Sequence, residues 1–275
     1  MSKLHVQALH VHPVKSVAGF APDAVAVEPW GLSGDRRWAL IDPEGTVLTQ
    51  RRHARLALAA ARPAGEGGRI ALTAPGMPEL VVEEPEPGPL EPVTLFGKKV
   101  ETVVAARSAA DWFSAYLGEP VRMVHMDDPA VRRPVDPDYA LPGETVSLAD
   151  GYPLLIATLA SLDALNALIG RGDHPEEGPL PMNRFRPNVV VSGAEPWAED
   201  DWRRLAIGDA VFRGARECGR CVVTTTDQAT AERGKEPLKT LARHRRIGKS
   251  LAFGRLLVPL RLGTVRVGDE VRVLD

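Results

Sequence analysis

The chain has 275 residues, 44% of them apolar, 25% charged and 5% aromatic, with a formal net charge of -2. That length holds one large domain or two modest ones with a sizeable core. The composition is that of an ordinary soluble globular protein, and the near-neutral balance excludes a general electrostatic pull toward nucleic acid or an acidic membrane surface.

The N-terminal stretch Met1-Ser2-Lys3-Leu4-His5 lacks the long apolar run of a signal peptide. No run reaches the roughly 18 apolar residues of a membrane span. Leu4 to Val17 alternates in part and ends in Pro13-Val14-Lys15-Ser16, so a strand running into a loop is expected. Trp38 to Ile41 reads as a strand after the Gly34-Asp35 turn. Leu56 to Ala61 and Arg69 to Thr73 read as short strands around the Gly65 to Gly68 turn. Pro75 to Pro78 and Glu83 to Pro92 read as breaker-rich loops. Ser108 to Asp111 has capping-box spacing and opens a helix that carries Trp112, Phe113, Tyr116 and Leu117 into the core and stops at Gly118. Arg132 to Pro142 reads as an exposed loop. A second helix is expected from Ser161 to Gly170, with Leu162, Leu165, Leu168 and Ile169 on its apolar face. Val189 to Val191 is a buried strand, Pro237 opens a helix carrying Leu238 and Leu241, and Leu256 to Val273 alternates again.

These elements predict a strand-dominated α+β protein with a few short helices. An early β domain divides from a second, barrel-like domain near residues 100 to 125. No Rossmann glycine signature or Walker A loop is present. The basic run Arg243 to Arg246 reads as a solvated helix end, with a phosphate-binding patch as the competing reading.

Two cysteines are present, which implies no disulfide framework and points to a reducing, cytoplasmic compartment. Cys218-Gly219-Arg220-Cys221 admits several readings. Half of a zinc site would need two further ligands, and the chain offers no third cysteine and only His244 nearby. A thioredoxin-like pair normally opens a helix, whereas Val222 to Thr226 is β-branched and favours an extended chain. A single thiolate acting as a soft ligand suits a redox metal, with Arg220 able to favour a neighbouring thiolate. An inert buried cysteine is the fourth reading. Lys15-Ser16, Arg36-Arg37 and Arg184-Phe185-Arg186-Pro187-Asn188 are polar clusters that could together hold a large anionic cofactor, if the fold brings them together.

These motifs, with Ala198-Glu199-Asp200, Thr224-Thr225, Asp227, Lys235 to Leu238 and Val267-Gly268-Asp269, resemble the MOSC-domain proteins over nearly the whole chain. The likeness is to the amidoxime-reducing group of mitochondria and its bacterial relatives. It implies a MOSC-associated β-rich domain over residues 1–120 and a MOSC β-barrel with short peripheral helices over 121–275. It implies that Cys221 coordinates the molybdenum of a molybdenum-pterin cofactor (molybdopterin). Lys15, Ser16 and Arg36 match contacts to its phosphate or pterin end, Arg186 and Asn188 match further contacts, and Asp150 matches an acidic residue beside it. Cys221 and Asp150 are thereby the catalytic candidates. Gly151 and Tyr152 stand where the amidoxime-reducing proteins carry small hydroxyl residues, and Gly219 replaces a serine, so individual hydrogen bonds differ.

The implied reaction removes oxygen from N-hydroxylated small molecules such as amidoximes. Its electrons come from a separate ferredoxin, flavoprotein or haem protein with its own reductase, because the chain has no spare cysteine cluster and no flavin or nicotinamide fingerprint. The alternatives are a sulfur carrier using a Cys221 persulfide and a non-catalytic carrier of the cofactor. Pyridoxal phosphate is not expected, since no lysine sits in a context that supports a Schiff base.

Overall fold

The computed structural model describes residues 3–135 and 140–275. Met1 and Ser2, and residues 136–139 of the expected loop over Arg132 to Pro142, lie outside the described residues. Among those described, no helix is long and apolar enough to cross a membrane.

The protein is a strand-dominated α+β structure built around one large sheet. Its strands run in the order His5–Leu9, Val189–Ser192, Leu154–Thr158, Ser250–Arg261, Ala210–Gly219, Arg204–Ile207 and Val271–Val273, with Arg246–Ile247 attached to the fourth. The two ends of this order approach each other. Val6 N donates to Asp269 O at 2.9 Å and Val271 N to Leu4 O at 2.9 Å, so the sheet is nearly closed into a barrel and most of its edge is paired. Alternation along the strands fills it: Leu154 and Ile156 join Val6, Leu9, Leu205 and Phe212 in one apolar cluster, while Ala157 turns to the other face. Helix Leu159–Ile169 follows Leu154–Thr158 directly and links it to its parallel neighbour Val189–Ser192. Its apolar side packs with Phe185, Leu241 and Phe253.

The rest of the chain forms smaller sheets. Trp38–Ile41, Arg122–His125, Lys98–Val104 and Leu90–Leu95 make one, and Ala60–Pro63, Ile70–Thr73 and Leu80–Val82 another. Helix Arg107–Leu117 closes their core with Trp112, Phe113 and Tyr116, all buried as expected. The first strand and Ala24–Glu28 pair instead with C-terminal strands, so the chain starts in the barrel, leaves it, and returns. The polar segments at each crossing, around Lys15 and Arg36, are thereby set between the two cores.

Several local expectations are corrected. Ala54–Leu58 is a 3-10 turn and the strand starts only at Ala60. Pro92 lies inside the strand Leu90–Leu95, at the edge of its sheet, where a missing N–H costs least. Helix Arg107–Leu117 begins before the expected capping box, behind Ala106, with no side-chain cap. The second helix begins at Leu159, because Thr158 rather than Ser161 caps it, accepting from Ser161 N at 3.1 Å. Of the basic run, Arg243 pairs with Asp173 at 2.8 Å, and Arg245 pairs with Asp200 while stacking on Trp197 at 4.2 Å. Those two arginines fasten the helix rather than form a free basic patch.

Candidate functional site

A cavity of about 400 Å³ opens between the barrel and the N-terminal sheets. Lys15, Ser16, Arg36, Asp150, Arg186, Asn188 and Cys221, distant in sequence, all line it.

Lys15 follows the first barrel strand, and only 5% of its side chain is exposed. Its Nζ donates to Asp150 Oδ1 at 2.5 Å and to Leu148 O at 2.9 Å. Burial pulls the Lys15 ammonium down to about 8, against the opposing charge of Asp150. The Asp150 carboxylate is 65% exposed to the cavity. Desolvation inside the cavity pushes it up, but Lys15, Arg51 and Arg36 outweigh that and hold it well below the usual carboxylate range. A carboxyl held that low has no proton to give at neutral pH, so Asp150 can accept or orient but not act as a general acid.

Arg36 is fixed at every end of its fork. Nη1 donates to Asp35 Oδ2 at 2.5 Å and to Asn188 Oδ1 at 3.1 Å, and Nη2 donates to Arg186 O at 3.2 Å. The Asp35 carboxylate is almost wholly buried and also accepts from His12 N at 2.7 Å. Asn188 is buried, its Oδ1 shared with Leu155 N and its Nδ2 turned to His10 O. Those protein contacts make Asn188 a residue that positions Arg36. Arg186 reaches Val17 O at 2.8 Å. Burial first, then the charge of Arg36, brings its guanidinium down to about 9. Ser16, Arg36 and Arg186 have φ of 65°, 47° and 53°. Left-handed backbone at non-glycine residues costs of order 1–3 kcal/mol each and collects where a site over-determines it.

Both cysteines face the cavity but differ in their surroundings. Cys218 ends the strand Ala210–Gly219 region, and its Sγ accepts from Arg220 Nη1 at 2.8 Å. Burial pushes its thiol up, with Arg220 opposing. Arg220 Nη2 donates to Phe185 O at 2.7 Å, tying the Cys218–Cys221 turn to the Arg186 segment. The arginine thus serves Cys218 directly, and the Cys221 thiol has no hydrogen-bond partner in the protein among the described residues. The β-branched run after Cys221 is a 3-10 turn, Val222–Thr225, rather than extended chain. The Thr224 and Thr225 hydroxyls donate back to Cys221 O and Val222 O at 2.9 Å each and stabilise it. Among the described residues, the group that could place three ligands round a metal ion is His174, Glu176 and Glu177, which includes neither cysteine nor His244.

Three further residues belong to the site. Arg51 reaches Asp150 Oδ2 at 3.4 Å. Arg133 Nη1 donates to Ser147 O and Ala149 O at 2.5 Å each, and Nη2 to Asp150 O at 2.6 Å, which shapes the loop behind Asp150. Gln50 Nε2 donates to Ser16 O at 2.8 Å. The basic doublet Arg51-Arg52 was a visible signal; nothing local marks Arg133 or Gln50.

Residues 143–272 match the MOSC domain, and residues 3–120 match the MOSC N-terminal beta barrel domain. The chain is 32% identical over 287 residues to mitochondrial amidoxime-reducing component 1 of Homo sapiens, covering 98% of this chain and 82% of the human protein. It is 31% identical over 292 residues to mitochondrial amidoxime reducing component 2 of Rattus norvegicus, with 98% and 83% covered. Molybdenum cofactor sulfurase of Oryza sativa subsp. japonica is 30% identical over 273 residues, which are 94% of this chain but 33% of the rice protein. The chain therefore belongs to the MOSC-domain family, with the paired MOSC N-terminal barrel and MOSC domains and a relationship to the mitochondrial amidoxime-reducing components over nearly its whole length.

Proposed function

We propose that the cavity holds a molybdenum-pterin cofactor and that the protein reduces N-hydroxylated small molecules such as amidoximes, with electrons from a separate protein. The observation that carries this reading is the Cys221 thiol, without a hydrogen-bond partner among the described residues, in a cavity whose charged lining is mainly cationic. The donor set fits the group. A thiolate is a soft metal ligand, and Lys15, Arg36 and Arg186 match an anionic phosphate and pterin end. When bound, the cofactor supplies the two-electron chemistry that takes oxygen from an N–O bond. Cys221 supplies the ligand. Asp150 holds Lys15 charged and in place, and Asn188 and Asp35 aim Arg36. Conversion of N–OH to N–H and water takes up two electrons and two protons. The donor is a ferredoxin, flavoprotein or haem protein, and the kinship with amidoxime-reducing components supports that need.

Protein purified from a host that makes the cofactor should turn over benzamidoxime with reduced viologen dye and not with nicotinamide alone. Sustained turnover with nicotinamide, or none with dye at full molybdenum content, would contradict this. A transferable persulfide on Cys221 without reductase activity would favour a sulfur carrier instead.

Lys15 also gives the site a pH signature. Its ammonium is charged below about 8 and loses its proton above. Sulfate, whose charge is constant over this range, should bind with pH-independent affinity from pH 6 to 7. Between pH 8 and 9 it should weaken by up to about tenfold, the limit for one proton, and more steeply above about 9, where Arg186 also loses charge. Calorimetric titration checks this, and an affinity flat to pH 10 would remove Lys15 from the anion contacts.

A further inference from the structure

The strands Leu90–Leu95 and Lys98–Val104 are joined by two residues, Phe96 and Gly97, with Leu95 paired to Lys98. Both turn residues have positive φ, 50° and 78°. Two-residue hairpin turns of this shape favour Asn-Gly, Asp-Gly or Gly-Gly. Gly97 suits the second position, but a bulky aromatic at the first is an outlier. Burial does not compensate, because Phe96 is 48% exposed.

The ring lies against two residues of the cavity lining. The Arg51 guanidinium carbon lies 4.6 Å from the ring centroid and Lys15 Nζ 5.1 Å, and both residues line the cavity. Arg51 also touches Asp150, whose carboxylate faces the opening. A half-exposed ring, a guanidinium plane and an accessible carboxylate are therefore neighbours beside the cavity.

We infer that Phe96 determines substrate specificity. Its half-exposed ring, braced by Arg51 and Lys15, packs against the ring of an aromatic N-hydroxylated compound, while Asp150 accepts a hydrogen bond from the N–OH group. Rings and guanidinium planes both stack on π-systems. An amidoxime is uncharged, so it enters a cation-rich cavity without repulsion. This rests on the reductase reading above and adds to it the residue that selects aromatic over aliphatic substrates.

The test is Phe96→Asn, which puts the favoured residue before Gly97, with Phe96→Trp retaining a ring. Phe96→Asn should not lower the melting temperature. It should lower the ratio of kcat/KM for benzamidoxime to that for acetamidoxime by about fivefold, the size of one aromatic stacking contact. Phe96→Trp should keep the ratio near that of the parent. Calorimetric titration of benzamidoxime into the purified protein should show the same fivefold fall in affinity, whether or not the chain reduces it. An unchanged ratio and affinity in Phe96→Asn, or no measurable benzamidoxime affinity in the parent, would overturn the inference. A parent that binds benzamidoxime in a Phe96-dependent way but reduces neither compound would instead sink the reductase reading and leave the subsite standing.

Discussion

Replacing Cys221 by Ala is expected to abolish molybdenum retention while leaving the fold intact. The backbone at Cys221 is held by groups that the substitution does not touch. Thr224 N donates to Cys221 O at 3.0 Å and the Thr224 hydroxyl at 2.9 Å. The side chain is half-buried and makes no hydrogen bond among the described residues, so its removal costs little stability. A lost direct ligand should cost at least the roughly 100-fold in metal affinity that can follow loss of a partner one step removed from a metal. Cys218→Ala should cost much less. Its thiol is already engaged by Arg220, and Arg220 keeps its bond to Phe185 O without it. Metal analysis of the two variants beside the parent decides the matter. Equal losses would point to a dithiol or zinc mechanism.

Arg36→Ala should be the most destabilising substitution at the site, by about 3–5 kcal/mol, the usual cost of breaking a buried ion pair from one side. The Asp35 side chain is 1% exposed, so the variant leaves a carboxylate without its cation and out of reach of water. Asn188 Oδ1 and Arg186 O lose a donor in the same step. Relief of the repulsion that lowers the Arg186 guanidinium offsets only part of this. Adding Asp35→Asn should recover roughly half of the loss, since it removes the stranded charge but keeps an acceptor for His12 N. Urea midpoints of the two singles and the double give the coupling. Arg36→Ala within 1 kcal/mol of the parent would mean that the pair is hydrated.

Many of the strands were legible because their burial shows in their own apolar runs. Val189–Val191 and Trp38–Ile41 are apolar at every position and read as buried strands without any partner being known. Where local chemistry competed with propensity, the reading failed. The β-branched run after Cys221 looked extended, but threonine hydroxyls that return to carbonyls three residues back turn it into a 3-10 segment. Pro92 looked like a loop residue, since nothing in the sequence says that its strand lies at an edge.

For the site, the polar clusters at Lys15, Arg36 and Arg186 were visible one by one, and their convergence rested on resemblance alone. The backbone supplies a physical reason to group them. Ser16, Arg36 and Arg186 are three of the six non-glycine residues with positive φ among the described residues, and all line one cavity. Arg133 and Phe96 were illegible because their roles depend on the chain folding back on itself, over 17 positions to bring Arg133 to Asp150 and over 45 and 81 positions to bring Phe96 to Arg51 and Lys15.

The central claim, a cofactor anchored on one thiol, is tested most directly by the molybdenum content of protein expressed in a host that makes the cofactor. About one molybdenum per chain, accompanied by pterin fluorescence and lost in Cys221→Ala, is the expected result. Stoichiometric zinc with no molybdenum, or molybdenum retained undiminished in Cys221→Ala, would contradict it.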